Sequence, residues 1–271
     1  MQTSTWSTSL HLSFRLLNTP TPNLRPFLES DGLHRDAVLA KLPYDERRSK
    51  APGSGPDPRR YRDGRQLYEA VGLFFEAPTR EVVVTDLGKA TLRWLGQIHE
   101  KNVAILGRYA AYALSACQLR NPTGPGKNYD PTFEVFPFAF IWRAMFALDG
   151  FLTTEELSRG IFRVKNEGDL HQVIELIRSA RKSGNPEEIG EEAVVGPSKA
   201  DRIIPWMSMA SFGWILFSDK DSGEGAYRLV PRTRQLLLEA ASMKRKHLEY
   251  DSVADYAQRI ASAAALPKDV R

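Results

Sequence analysis

The chain has 271 residues, 42% of them hydrophobic and 26% charged, enough apolar material for two or three small folded units and too much for a disordered chain. Thirty-seven Lys plus Arg stand against 33 Asp plus Glu. Bulk charge therefore identifies no polyanion partner, and the placement of the cations has to carry any such argument. The single cysteine, Cys117, excludes an intrachain disulfide framework and a cysteine zinc site, which fits a reducing cytoplasmic setting. It lies in an apolar helical stretch and reads as a small buried residue rather than a nucleophile.

In chain order, Met1 to Ser13 is Ser/Thr-rich without a basic head or long apolar run, so it reads as neither signal peptide nor anchor. No stretch offers the roughly 18 apolar residues of a membrane span. The run Phe133 to Leu148 is interrupted by Glu134, Pro137 and Arg143 and reads as a core helix. Turn-rich stretches at Lys50 to Asp57, Asn121 to Pro131 and Ser183 to Pro197 read as loops or linkers. The expected units are 14–120 (module 1 with a connecting helix, roughly Ile98 to Leu119), 132–182 (module 2) and 198–250 (module 3), followed by a C-terminal helix or tail, 251–271.

Modules 1 and 3 share a pattern. An Arg-rich helix, about Pro58 to Val71, leads into strands Leu73 to Phe75 and Val82 to Val84, and then a helix from Asp86 to Leu95 with Thr85 as N-cap. A helix of about Ser198 to Ser211 leads into strands Trp214 to Phe217 and Tyr227 to Val230, and then a helix opening at Pro231. Helix, hairpin, helix is the winged helix-turn-helix order, so the expected fold class is mainly α with small β-hairpins in tandem winged-helix modules. Module 2 predicts a helix at Val135 to Leu148, a short strand Phe151-Leu152, a capping box from Thr153 to Glu156 and a helix from Asp169 to about Lys182, without a wing.

The densest basic cluster is Arg59, Arg60, Arg62 and Arg65, with Tyr61 among them, at the start of the helix before the first hairpin. The first residues of a recognition helix face base edges, and arginine suits guanine and phosphate alike. These five are the primary expected DNA contacts. The alternative is a solvated face with Asp57, Asp63 and Glu69 as ion-pair partners. Arg80 and Lys89 flank the first wing. Lys199 and Arg202 open the helix of module 3, and Lys220 lies in its wing; all five are expected to neutralise phosphate. Lys244 to His247 reads instead as the cationic end of a helix.

Enzyme signatures are poor. No phosphate loop, GxSxG elbow or histidine metal spacing occurs. Asp86 with Lys89, and Asp219-Lys220-Asp221, are the nearest nuclease-like fragments, and both sit where a helix start and a wing tip are expected. No cofactor and no metal site are expected.

The middle stretch carries a resemblance. A helix ending in Gln118-Leu119-Arg120-Asn121-Pro122 is followed by Phe133 and the Pro137-Phe138 pair opening a long apolar helix. The step Leu152 to Leu157 and a helix through Arg178 and Arg181 come next. With the upstream Arg62-Asp63-Gly64-Arg65 to Val84-Thr85-Asp86-Leu87-Gly88 stretch, this resembles the DNA-recognition half of type IIS restriction endonucleases of the AlwI kind, over about 60 to 240. The resemblance implies tandem winged-helix reading of DNA. Such enzymes cut through a separate nuclease domain, and no stretch of this sequence corresponds to it. The expectation is a non-catalytic, sequence-specific reader of double-stranded DNA in a restriction or anti-phage defence complex, partnered by a separate nuclease or ATPase subunit and not by a membrane. The alternatives are a restriction endonuclease with an unrecognised metal site, or a winged-helix scaffold or transcription regulator.

Overall fold

The computed structural model describes residues 5–6, 24–42, 58–95, 100–124, 126–129, 131–193, 199–218 and 225–269; the side chains of 59, 60, 100–102, 128, 199–202 and 218 are outside the description. The expected loop at Lys50 to Asp57 lies outside the described residues, as do most of Met1 to Ser13 and Lys220. The fold is mainly helical with small antiparallel sheets, and no helix among the described residues is long and apolar enough to cross a membrane.

The first half contains α1 (Leu24–Leu28), α2 (Arg35–Lys41), α3 (Pro58–Ala70), β1 (Phe74–Glu76), β2 (Val82–Val84) and α4 (Asp86–Leu95). Proline suits the first helical position of α3, because the N–H it lacks would have no intrahelical partner there. Strands β1 and β2 pair antiparallel, Phe74 opposite Val84 and Glu76 opposite Val82. Residues just before α2 add a third line to this pair. The His34–Glu81 bridge is antiparallel, and Val82 N–H donates to Leu33 O at 2.9 Å.

A connecting helix, α5 (Glu100–Ser115), leads to the second half: α6 (Pro137–Ala147), β3 (Phe151–Thr153), α7 (Thr154–Arg159), α8 (Leu170–Ser183), α9 (Lys199–Ala210), β4 (Phe217–Ser218), β5 (Ala226–Leu229) and α10 (Pro231–Ala241). The expected capping box forms at α7. Thr153 Oγ1 accepts the Glu156 N–H at 3.2 Å, and Glu156 Oε2 accepts the Thr153 N–H at 2.9 Å.

The middle segment supplies one short strand, as the sequence pattern predicted, but that strand does not stand alone. Strand β3 pairs with β5, Leu152 opposite Tyr227, and β5 pairs with β4, giving the order β3-β5-β4. One sheet thus bridges the stretches expected to form separate modules 2 and 3. The first half has the same order: the 33–34 stretch, then β2, then β1.

Three further expectations are corrected. The stretch Trp214 to Leu216 is turn, not strand: Phe212, Gly213 and Trp214 all have positive φ, and Leu216 N–H returns to Ser211 O at 2.8 Å. The described part of the Asn121 to Pro131 stretch is folded rather than a loose linker. Asn121 Oδ1 accepts both the N–H and the hydroxyl of Thr123, at 2.9 and 2.6 Å, and Tyr129 packs on Phe133 with ring centroids 4.9 Å apart. Finally, α10 ends at Ala241, so Lys244 to His247 belongs to an extended strap and not to a helix end.

That strap crosses the end of α5. Gln118 holds Leu248 through both its N–H and its carbonyl, each at 2.8 Å, and Arg120 pairs with Glu249 at 2.9 Å. The last helix, α11 (Val253–Ala263), then returns to the first half. Tyr256 OH donates to Ala70 O at 3.0 Å, and Ile260 packs on Gly72. Buried apolar residues from both halves and α11 form a single contiguous core. Burial pushes the Cys117 thiol up to about 12, so it is an inert core residue.

Candidate nucleic-acid interface

Helix α3 is two-faced by its periodicity. Tyr61, Gly64, Leu67, Tyr68 and Val71 turn inward, at the spacing of one helical face. A Cβ on Gly64 would lie 2.9 Å from the Phe27 ring, so glycine is what lets α1 approach so closely. Arg62 keeps 59% of its side chain exposed, and Arg65 keeps 31%. Arg59 and Arg60 lie in the first turn of α3, where there is no acidic residue.

Tyr61 departs from its expected role as a DNA contact. Its ring stacks on Phe27 at 5.2 Å, it is 4% exposed, and its hydroxyl donates to Glu76 Oε2 at 2.6 Å. A side chain held this way is part of the core and has no face to offer a ligand. Burial, reinforced by the Glu76 carboxylate, pushes its phenol far above the usual tyrosine range.

The ion-pair alternative for the cluster is realised in part. Arg62 pairs with Asp63 at 3.2 Å. Arg65 pairs with Glu69 one turn on at 3.8 Å and with Glu76 of β1 at 3.3 Å. Glu69 also accepts the Glu76 N–H at 3.0 Å. This small network ties the outward edge of α3 to the foot of the hairpin. Burial pushes the Glu69 carboxyl up to about 7, against the pull of Arg65 and the Glu76 N–H. Glu76 was not anticipated; its only sequence signal is an acid closing an apolar strand, Phe74-Phe75-Glu76.

Of the other expected contacts, Arg80 sits exposed at the hairpin turn with φ of 65°, and its carbonyl accepts the Arg35 N–H at 2.8 Å. Lys89 lies on α4, 46% exposed, with its ammonium 3.0 Å from Asp31. Asp31 in turn accepts the Val84 N–H at 2.9 Å, which fixes this pair to β2. Lys199 and Arg202 open α9, where only their backbone is described. The described cations of the expected site thus all lie in the first half, on α3, its hairpin and α4.

The arginines of α8 are structural. Arg181 donates to both oxygens of Glu156, at 2.7 and 2.9 Å, and to the carbonyls of Leu148 and Phe151, at 2.9 and 3.0 Å. Arg178 donates to Ala147 O at 2.9 Å. Among the described residues no group of three or more His, Cys, Asp or Glu side chains is placed to hold a metal ion.

No family model and no curated protein matches the chain. Among solved structures, the chain is similar in fold to the BpuJ1 endonuclease binding domain, determined in complex with pyrene- and phenanthrene-modified DNA. The TM-score is 0.53, over 90% of this chain and 91% of that one, at 10% sequence identity. At such low identity the likeness is one of fold, and it spans both halves described above.

Proposed function

We propose that this chain binds double-stranded DNA as a sequence-specific, non-catalytic recognition module of a restriction or phage-defence system, built from two winged-helix units in tandem. The observation that carries the reading is helix α3. It opens with Arg59, Arg60 and Arg62, has no acid in its first turn, and leads directly into a hairpin. That is where a winged helix presents its recognition helix to the major groove.

Two further observations support it. Each half runs from a helix through a short strand segment and further helices to a hairpin, with the strand segment paired to the hairpin's second strand; two helices, α2 and α3, intervene in the first half and three, α7, α8 and α9, in the second. The solved domain of similar fold is an endonuclease binding domain in complex with DNA. The cutting chemistry falls, on this reading, to another domain or subunit.

Fluorescence anisotropy with a labelled random-sequence duplex, titrated across salt, tests the proposal. The parent is expected to bind with a steep salt dependence. An Arg60→Ala/Arg62→Ala variant is expected to bind more weakly, its salt slope reduced by about 2 if each arginine neutralises one phosphate. No binding by the parent, or undiminished binding by the variant, overturns the reading. Selection from a random duplex library then reads out specificity, and recovery of no preferred sequence removes that part of the claim.

A further inference from the structure

The junction of α3 with its hairpin holds two nearly buried carboxylates around one guanidinium. Glu69 is 5% exposed and Glu76 12%, and Arg65 lies between them, 31% exposed. Glu76 is braced a second time by the Tyr61 hydroxyl, and Glu69 by the Glu76 N–H. Among the described residues, Lys127 in the 3-10 turn Gly126–Asn128 also faces Glu69. A buried carboxylate beside a close cation is favoured in its ionised form while that cation stays in place.

We infer that Glu69 and Glu76 are positioning residues for the interface: they hold Arg65 on the protein until it swings to a DNA phosphate, and Glu69 takes up a proton from solvent as it leaves. The inference rests on the DNA-binding reading above. Tyr61 and Glu76 stay with the core, so Arg65 is the member of the network free to exchange, since it is the most exposed. Binding thereby couples to protonation, because withdrawing Arg65 removes an interaction that favours the ionised carboxylate. With the Glu69 carboxyl already raised to about 7, the exchange falls in the neutral range.

The sign follows from linkage. The DNA-bound form carries more protons than the free form, so affinity rises as pH falls. If loss of Arg65 raises the Glu69 carboxyl by about one further unit, duplex binds about fivefold tighter at pH 6 than at pH 8.

Isothermal titration of the full chain with a random-sequence duplex at pH 7, in phosphate and in Tris, measures the proton directly, because the two buffers differ in ionisation enthalpy. Uptake of up to about half a proton per chain is expected. A Glu69→Gln variant is expected to bind with lower uptake and a flatter pH profile; histidine protonation is common to both proteins and cancels. Equal uptake and equal pH dependence in parent and variant overturn the inference while leaving DNA binding intact. If the variant fails to fold, zero uptake by the parent overturns it alone. A parent that binds no duplex at any pH removes the DNA reading and this inference together.

Discussion

Helices α3 and α9 hold the same place in their halves, each running into the hairpin that follows. Their surfaces differ. Helix α3 buries one face and leaves Arg62 and Arg65 on the other. In α9, Ile203 and every residue from Pro205 to Ala210 are buried, and Trp142 donates its indole N–H to Ala210 O at 3.0 Å. The second half has built the described side chains of its helix largely into the core. The strap and α11 then carry the chain from the second half back to the first. On the DNA-binding reading proposed above, one scaffold order would serve two ends: the first half to present a helix, and the second to hold it steady.

The arginines repeat this contrast, and the largest expected effect comes from Arg181 of α8. Arg181 satisfies four acceptors, stacks at 3.9 Å on Phe151 and neutralises Glu156, whose side chain is 6% exposed. Removing it strands a buried carboxylate. Arg181→Ala is expected to cost about 3 kcal/mol in urea unfolding, with the cost shrinking when Glu156→Gln is added. A loss within 0.5 kcal/mol would break the assignment of a bracing role to the second half.

The next test sharpens the equivalence of the halves. Aligning Phe74–Val84 with Phe217–Leu229, the facing pairs of each hairpin, puts Gly88 of α4 where α10 has Thr233. A Cβ on Gly88 would lie 2.0 Å from Leu73 O, a contact no side chain can make. Thr233, at the matching place, donates its hydroxyl to Leu216 O. The two halves close the same joint by opposite means, one by removing a side chain and the other by bonding through it. Gly88→Ala is expected to cost about 2–3 kcal/mol through overpacking, and Thr233→Ala about 1–2 kcal/mol by leaving the buried carbonyl without its hydroxyl donor. Thermal unfolding of both measures it. A neutral Gly88→Ala would show that the α4 joint is looser than this alignment requires.

Much of this was legible in the sequence. Residues 86–95, the start of α10 and the capping box at Thr153 are local decisions, made by a cap, a proline or a three-residue spacing, and they read true. What escaped was long-range or depended on burial. No local signal says that Leu152 pairs with Tyr227, since the partner lies in another segment. The apolar run Trp214 to Phe217 could serve as strand or buried turn, and positive φ values at Phe212 to Trp214 decide for the turn. Asn121 to Pro131 has the composition of a linker, but an Asx hydrogen bond folds its first part down. At the site, the arginine cluster stood out because charge is visible in a sequence. The inward turn of Tyr61 was visible only through its seven-residue spacing from Tyr68 on the apolar face of α3. That a distant acid, Glu76, would claim Arg65 required the hairpin to fold back first.

The smallest expected effect on stability is the most telling for function. Arg62 is 59% exposed and, among the described residues, pairs with its chain neighbour Asp63. A pair of that kind contributes little, because water screens it and two side chains must be ordered to make it. Arg62→Ala is accordingly expected to change unfolding free energy by less than about 0.5 kcal/mol. Its duplex affinity should fall nonetheless, with a salt slope lower by about 1, as for one lost phosphate contact. Measured beside Arg181→Ala, the two variants should separate fully: one loses stability, the other loses binding. If Arg62→Ala instead destabilised the fold, or if Arg181→Ala lowered the salt slope of a folded protein, presentation and bracing would not divide between the halves along the line that α3 and α9 draw.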